Sequence, residues 1–318
     1  MVRGVLFALA AGMMWGLAFI APLLLPGYPA VLQSLGRYIA LGVLCIPLAW
    51  MDRADLMHLR WSDWKQALAL SVVGNLLYYL LLASAIQQAG APLPTMLIGT
   101  LPVVLTIAAK LRARHEDGRM AWRSILPSLA LIAAGIACVN AAELRALGDS
   151  SSQNLMQYAW GGLLGVGAVA CWTWYPLRNA DWLREHPQRN ARAWATAQGL
   201  VTLPLALLGY AVFAWYTHGQ ASEFAIPWGP QPVVFGSIML TMGLLTSWLA
   251  TVCWNAASRR LPASTLAQLI VFETLCALTY AYTLRGERPE LLTLLGVALL
   301  VVGVVIAVRS STKAARTA

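Results

Sequence analysis

Two ionisable side chains lie deep in apolar sequence, and they define the chemistry open to this chain. Glu273 sits near the middle of Pro262–Glu287, PASTLAQLIVFETLCALTYAYTLRGE, a stretch about one bilayer span long. An ionised carboxylate in hydrocarbon is costly, and even permissive insertion scales charge it roughly 3 kcal/mol. Such a residue must face a water-filled cavity, have a partner or be protonated. It could therefore bind a substrate amine or carry a proton. Arg37 is the second intramembrane charge, roughly 10 Å in from the outer end of its apolar run at ~1.5 Å per residue. Its planar fork could hold a substrate carboxylate by paired hydrogen bonds. It could instead snorkel to the outer interface or cap backbone carbonyls.

The other candidates line up by helical spacing. Asn75 and Tyr79 are four apart and share a face, with Tyr78 about 100° away. Trp248, Thr251 and Asn255 recur at three and four, a polar and aromatic stripe in a greasy run. Such a stripe faces protein or a cavity rather than lipid. Leu269, Glu273, Cys276 and Tyr280 form another face, with Thr265 and Gln268 nearby. Trp15, Trp172 and Trp174 lie well within their runs, where an indole can stack on a flat ligand or fill space. The candidate cavity set is Trp15, Arg37, Asn75, Tyr78, Tyr79, Trp172, Trp174, Trp248, Thr251, Asn255, Gln268, Glu273 and Tyr280. Trp50, Trp61, Trp64, Trp122, Trp182, Trp215 and Trp228 sit near run ends or in connections and read as an interfacial belt.

No catalytic residues, metal site or cofactor are expected. There is no phosphate-binding loop, nucleophile elbow or helical zinc pair. His58, His115, His186 and His218 fall in connections and form no ligand spacing. The five cysteines, Cys45, Cys138, Cys171, Cys253 and Cys276, all lie inside apolar runs and read as packing residues. A membrane enzyme acting on lipid or isoprenoid would need a catalytic cluster at the interface, and the basic connections display none. A non-transporting structural subunit is the other alternative; it would be indifferent to neutral replacements of Glu273 and Arg37.

These side chains must be positioned by membrane helices. The chain is 59% hydrophobic and 11% charged over 318 residues, against about 25% charged in soluble domains. Ten spans can be drawn, each long enough to cross about 30 Å. They are 4–25, 30–50, 66–86, 92–110, 123–142, 157–177, 192–216, 232–257, 263–284 and 290–308. The run Gly4–Leu25 is too long for a signal-peptide core and reads as a retained first helix. With both termini cytoplasmic, eighteen of the 22 basic residues fall in inner segments and three in outer loops. That split is a strong positive-inside signal. It also argues against nucleic acid as the partner of the +9 net charge, because the basic residues sit in short connections between spans.

The spans repeat. Trp15 and Pro47 are matched by Trp172 and Pro204 at an offset of 157, AAGMMWG against GAVACWT. Ala85 and Glu116 are matched by Ala256 and Glu287 at an offset of 171, and LIAAGIA (131–137) aligns with LLVVGVV (299–305). The copies are 1–142 and 157–318, joined by the connecting loop 143–156. Five helices is an odd number, so the second copy starts from the opposite side. That makes an inverted repeat, a common plan of secondary transporters, with the site near mid-membrane between the copies. Small-residue runs, Gly12-x3-Gly16 and Gly161-x3-Gly165, permit close helix packing.

In order and spacing, several motifs resemble the drug/metabolite transporter superfamily in its EamA-type ten-helix form. They are Trp15-Gly16, Gly36-Arg37-Tyr38, Gly90–Pro102, Pro262–Glu273, Gly286-Glu287 and the glycines Gly296 and Gly303. The resemblance covers nearly the whole chain. It implies an all-α membrane protein of two inverted five-helix bundles around a central cavity, exporting small metabolites without ATP from the inner membrane. Family members often carry Glu-Pro in helix nine. Here the pair is Glu273-Thr274, and the proline survives only in the first copy, as Pro102. A kink in helix nine therefore lacks its usual cause. The resulting expectation is a secondary transporter working by alternating access, exporting amino acids or related small metabolites. Aromatic amino-acid exporters are plausible relatives by architecture. Proton-coupled efflux of lipophilic cationic drugs is the second transport reading. The partners expected are a small-molecule substrate and the lipid bilayer, with monomer and homodimer both open.

The charge split places residues 111–122 inside and 217–231 outside. In a background lacking the native cysteines, single cysteines at Asp117 and Gln220 should label from opposite sides with an impermeant thiol reagent. Labelling of both from one side would sink the inverted repeat.

Overall fold

In the computed structural model the described residues, 2–25, 27–89, 92–112, 122–146, 155–218, 229–286 and 288–317, contain helices and no strand. Glu116, Glu287, His115 and Trp228 lie outside them, as do the labelling positions Asp117 and Gln220. Six stretches are long and apolar enough to cross a membrane: Val2–Phe19, Ala30–Met51, Trp61–Ile86, Ala191–Thr217, Pro232–Ser258 and Thr265–Leu284. With no water in the bilayer core, a chain this apolar satisfies its backbone polar groups by helix formation.

Three expected spans are broken. The first, 4–25, divides into α1 (Val2–Gly16), a 3₁₀ turn (Leu17–Phe19) and α2 (Ala21–Leu24). A proline in the first turn of α2 explains that break, since it cannot continue the preceding helix. The fourth span, 92–110, divides at Thr100 into α7 (Pro92–Gly99) and α8 (Leu101–Arg112). Pro102 lacks the N–H that a continuous helix needs there, and Thr100 Oγ1 instead donates to the Leu97 carbonyl at 2.6 Å. The ninth, 263–284, divides at Ile270 into α14 (Ala263–Leu269) and α15 (Val271–Arg285) without any proline. A tight turn closes it, with Glu273 N–H donating to the Ile270 carbonyl at 2.9 Å.

The remaining elements are α3 (Ala30–Met51), the short α4 (Arg53–Met57), α5 (Trp61–Leu70) and α6 (Tyr78–Ala89). They are followed by α9 (Trp122–Ala146), α10 (Leu155–Glu185), α11 (Ala191–His218), α12 (Pro232–Thr241), α13 (Ala250–Ser258) and α16 (Leu291–Thr317). Two π-helical stretches interrupt regular geometry, Ser71–Leu77 between α5 and α6, and Met242–Leu249 between α12 and α13. They begin 171 positions apart, the offset already seen in the sequence. Such π turns recur at functional sites, because the widened turn re-aims neighbouring side chains.

Helices pair as α9 with α16, α3 with α11, α6 with α10, α1 with α13 and α15, and α8 with α14. Bare glycine backbones permit the closest of these approaches. A Cβ on Gly42 of α3 would lie 2.4 Å from Leu203, and one on Gly199 of α11 would lie 2.2 Å from Cys45 Sγ. Gly12 and Gly16 lie against Glu273, Cys276 and Tyr280 of the ninth span, so that small-residue run brings α1 onto α15. Gly286 ends α15 in the left-handed conformation, φ 66°, which favours glycine.

Most of the expected aromatic belt is exposed, including Trp50, Trp61, Trp122 and Trp215. Trp182 is a correction: it is buried, stacked on Trp194 with ring centroids 3.5 Å apart, and donates to Asp63 at 3.1 Å. Hydropathy placed it near a span end, but α10 extends two further turns and turns that face inward.

The crossing of α9 and α16 is close at backbone level on both helices, with a Cβ on Gly296 falling 2.7 Å from Val139 and 2.8 Å from the Gly135 carbonyl oxygen. Gly296→Leu should therefore lower the melting temperature in detergent, by an overpacking cost of about 1–3 kcal/mol. Gly236→Leu on α12, where a Cβ meets nothing within 4 Å, should melt at or above wild type. Equal losses in both would contradict the close crossing.

Candidate functional site

Glu273 occupies the first turn of α15, directly after the break at Ile270. Its backbone lies against Gly12, and its side chain is turned into the protein, 7% exposed. Among the described residues no hydrogen-bond donor meets the carboxylate. It is within electrostatic reach of Arg37 and of Tyr78.

Arg37 is fixed from several directions. Its Nε donates to Ser247 Oγ at 2.8 Å and its Nη2 to the Thr246 carbonyl at 3.4 Å, both in the second π stretch. The guanidinium also lies 5.3 Å from the Tyr38 ring centroid and 5.1 Å from that of Tyr79. This is a buried cation held by dipoles and two aromatic faces, not a snorkelling one. Thr246 and Ser247 were missed in the sequence because single hydroxyls in apolar runs carry no spacing signal.

An aromatic box adjoins these charges. Trp15 packs edge-on to Trp172 at 5.4 Å and tilted on Trp254 at 5.1 Å. Tyr78 and Tyr175 stack on Trp172 at 4.7 and 5.2 Å. The tryptophans matched by the repeat, Trp15 and Trp172, thus touch each other. Gly74, in the first π stretch, is bare where the Tyr175 ring enters; a Cβ there would lie 2.1 Å from it. The indole N–H groups of Trp172 and Trp254 are buried and meet no acceptor.

Below the box runs a polar network. Asn179 Nδ2 donates to Asn255 Oδ1 at 2.7 Å, while Asn179 Oδ1 accepts from Trp194 at 2.9 Å and Gln198 at 3.2 Å. Gln198 accepts from Tyr175 Oη at 3.1 Å, and its carbonyl accepts from Ser71 at 2.9 Å. Asn255 also donates to the Ala191 carbonyl at 3.2 Å. Thr251 is tied to the Ser247 carbonyl at 2.5 Å. Gln198 could have been found as a polar side chain inside an apolar run, the usual marker of an internal position, whereas Asn179 lies just past the sixth expected span in a charged connection.

Beyond the network the two sides of the molecule are laced together at the end carrying residues 52–63 and 181–192. Asp52 is bound by Arg192 through Nε at 2.9 Å and through Nη2, and accepts from Thr196 at 3.1 Å. Trp248 donates to the same Thr196 at 3.1 Å. Asp55 accepts from Asn190 at 2.8 Å, and Arg112 pairs with Asp181. His186 lies 3.9 Å from Asp63.

Other candidates stand apart. Gln268 accepts from Ser128 at 2.7 Å, tying α14 to α9. Tyr280 donates to the Met13 carbonyl at 3.1 Å, on the contact of α15 with α1. Asn75 is half-buried in the first π stretch. Trp174 is 38% exposed and lines a lateral groove between α8 and α10, away from the box.

The chain and its fold have counterparts among known proteins. The profile of the EamA-like transporter family matches residues 2–141 and again 159–309. The inner membrane protein YtfF of Escherichia coli strain K12 is 51% identical over 311 residues, which cover 98% of this chain and 96% of that relative. A solved crystal structure superposes with a TM-score of 0.72 at 14% identity, covering 97% of this chain and 98% of the other, a likeness of fold alone. Two family matches that together take in most of the chain, around a charged and aromatic interior, make it a multi-pass membrane protein that belongs to the EamA-like transporter family.

Proposed function

We propose that this chain is a secondary transporter of the inner membrane that exports small metabolites bearing an amine, with amino acids as the first class. The observation that carries the reading is the Glu273 carboxylate, buried, without a hydrogen-bond donor and beside an aromatic box. A substrate ammonium or a proton supplies what that carboxylate lacks. Arg37 spends part of its five-donor fork on Ser247 and Thr246, and the remainder suits a substrate carboxylate. The unpaired indole N–H groups of Trp172 and Trp254 also favour a substrate that carries an acceptor.

The working units are two inverted five-helix halves, 1–142 and 157–318, giving ten crossings with both termini cytoplasmic. Several features support this division. The π stretches start 171 positions apart, and Gly42 and Gly199, 157 apart, face each other's helices. The breaks at Thr100 and Ile270 fall at nearly matched positions, and Pro102 has Glu273 as its counterpart. On this orientation the laced end is cytoplasmic, and alternating access requires its ion pairs to part.

Efflux of lipophilic cations is the second reading, favoured by the three rings around Trp172, since ring faces attract cations. Competition by amino acids and by lipophilic cations against a bound substrate in vesicles separates the two.

Glu273→Gln in proteoliposomes tests the central residue. If Glu273 carries the coupling proton, the variant still exchanges labelled substrate at equal concentrations but builds no gradient under an imposed pH difference. If it binds only the substrate amine, exchange and gradient fall together, while substrates lacking the amine are spared. An early melt with no substrate selectivity would refute both roles.

Arg37→Gln should weaken binding of an acid far more than of its amide or ester, by roughly tenfold or more for a charge-assisted pair. Lysine should rescue only in part, because it lacks the planar fork. Equal losses for acid and ester would make Arg37 a packing residue only.

A further inference from the structure

A groove separate from the aromatic box opens between α8 and α10. It has a volume of about 650 Å³ and a predominantly apolar lining. Val104, Val166, Val169 and Leu177 provide the apolar walls, and Arg112 and Arg178 stand at one end. Both arginines lie toward the C-terminal ends of their helices, at the end of the molecule laced by ion pairs. The helix rise from Val166 to Arg178 is about 18 Å at ~1.5 Å per residue, somewhat more than one leaflet of a ~30 Å hydrocarbon core.

The charges at that end do not cancel. Arg112 pairs with Asp181, whose carboxylate is buried behind it. Arg178 has only one hydrogen bond, to Gln66 at 3.4 Å, which is long, and no carboxylate partner among the described residues. Among the described residues at the groove, two guanidiniums and the Asp181 carboxylate leave one positive charge, which one phosphodiester would match. Trp174 lies one turn from Arg178 on the same helix face and is 38% exposed, the placement of an indole at the level of lipid headgroups.

We propose that this groove binds an anionic phospholipid of the leaflet at the laced end, with its phosphate on Arg178 and Arg112 and an acyl chain along Val169, Val166 and Val104. Basic pockets between membrane helices on the cytoplasmic side recognise anionic headgroups in this way. An apolar groove alone would take any lipid chain; the surplus guanidinium selects charge. The proposal rests on the chain's place in a membrane and not on the transported substrate.

The test is thermal melting of the full chain in a neutral detergent, titrated with phosphatidylglycerol, phosphatidylcholine or glycerol phosphate. Phosphatidylglycerol should raise the melting temperature, while phosphatidylcholine and glycerol phosphate leave it unchanged. Arg178→Gln should melt like wild type in detergent alone, yet need about tenfold more phosphatidylglycerol for the same shift. Val169→Trp, which fills the groove without touching the charges, should blunt the shift as well. Equal stabilisation by phosphatidylcholine would overturn charge selection, and stabilisation by glycerol phosphate would make the site one for free phosphate. A phosphatidylglycerol shift untouched by both variants would place the lipid elsewhere and end the proposal.

Discussion

A buried carboxyl group that meets no donor among the described residues is the constraint around which this interior is arranged. Leaving an ionised carboxylate unpaired in a low-dielectric interior costs several kcal/mol, so the surroundings must either hold a counter-charge or admit a proton or a cation. Arg37 is that counter-charge, but it does not close onto Glu273. Ser247, the Thr246 carbonyl and two tyrosine faces hold it in place. The result is a guanidinium and a carboxyl group within electrostatic reach of each other, with the guanidinium anchored elsewhere. Folding tolerates this because the rest of the core is dense and apolar, with helices drawn together at bare glycine backbones.

The proposed halves share a scaffold and divide its chemistry. Trp15 and its counterpart Trp172 meet at the centre, so the shared position gives a shared contact. Elsewhere the counterparts differ. Where one half has Pro102, the other has Glu273; where one has Arg37, the other has Trp194, which serves the Asn179 network instead. The two π stretches keep their place in both halves, and each sits against the site: Gly74 receives Tyr175, and Thr246 with Ser247 receives Arg37. Backbone irregularity is retained while the side chains it presents diverge.

Much of this was legible in the sequence for a physical reason. Apolar length and charge in apolar runs are transfer energies, which belong to single residues and can be read from them. Glu273, Arg37 and the six long apolar stretches follow from that. What depends on a neighbour was not legible. The break at Ile270 has no proline to announce it and is visible only as a local turn beside Gly12. Trp182 and Trp174 both lie on α10, yet Trp182 is buried against Trp194 rather than interfacial, while Trp174 opens onto a lateral groove. A 31-residue helix of low amphipathic contrast gives no sequence signal for which face turns inward. No spacing announces the partners of Asp52, Asp63 and Asp181, which lie on α11, α10 and α8 respectively.

The lacing at that end is built from charges of unequal exposure. The Asp52 and Asp181 side chains are buried, while those of Arg192 and Arg112 remain 44% and 32% exposed. Ions in the adjoining water reach the cations but not the anions. At about 0.15 M salt the screening length is ~8 Å, comparable with the size of the cluster, and it lengthens as salt falls. Salt therefore weakens the hold of each arginine on its carboxylate while leaving the carboxylate's own desolvation unchanged. Under the proposed alternating access, the balance between the two forms would then follow the ionic strength of the compartment this end faces, with no ligand involved.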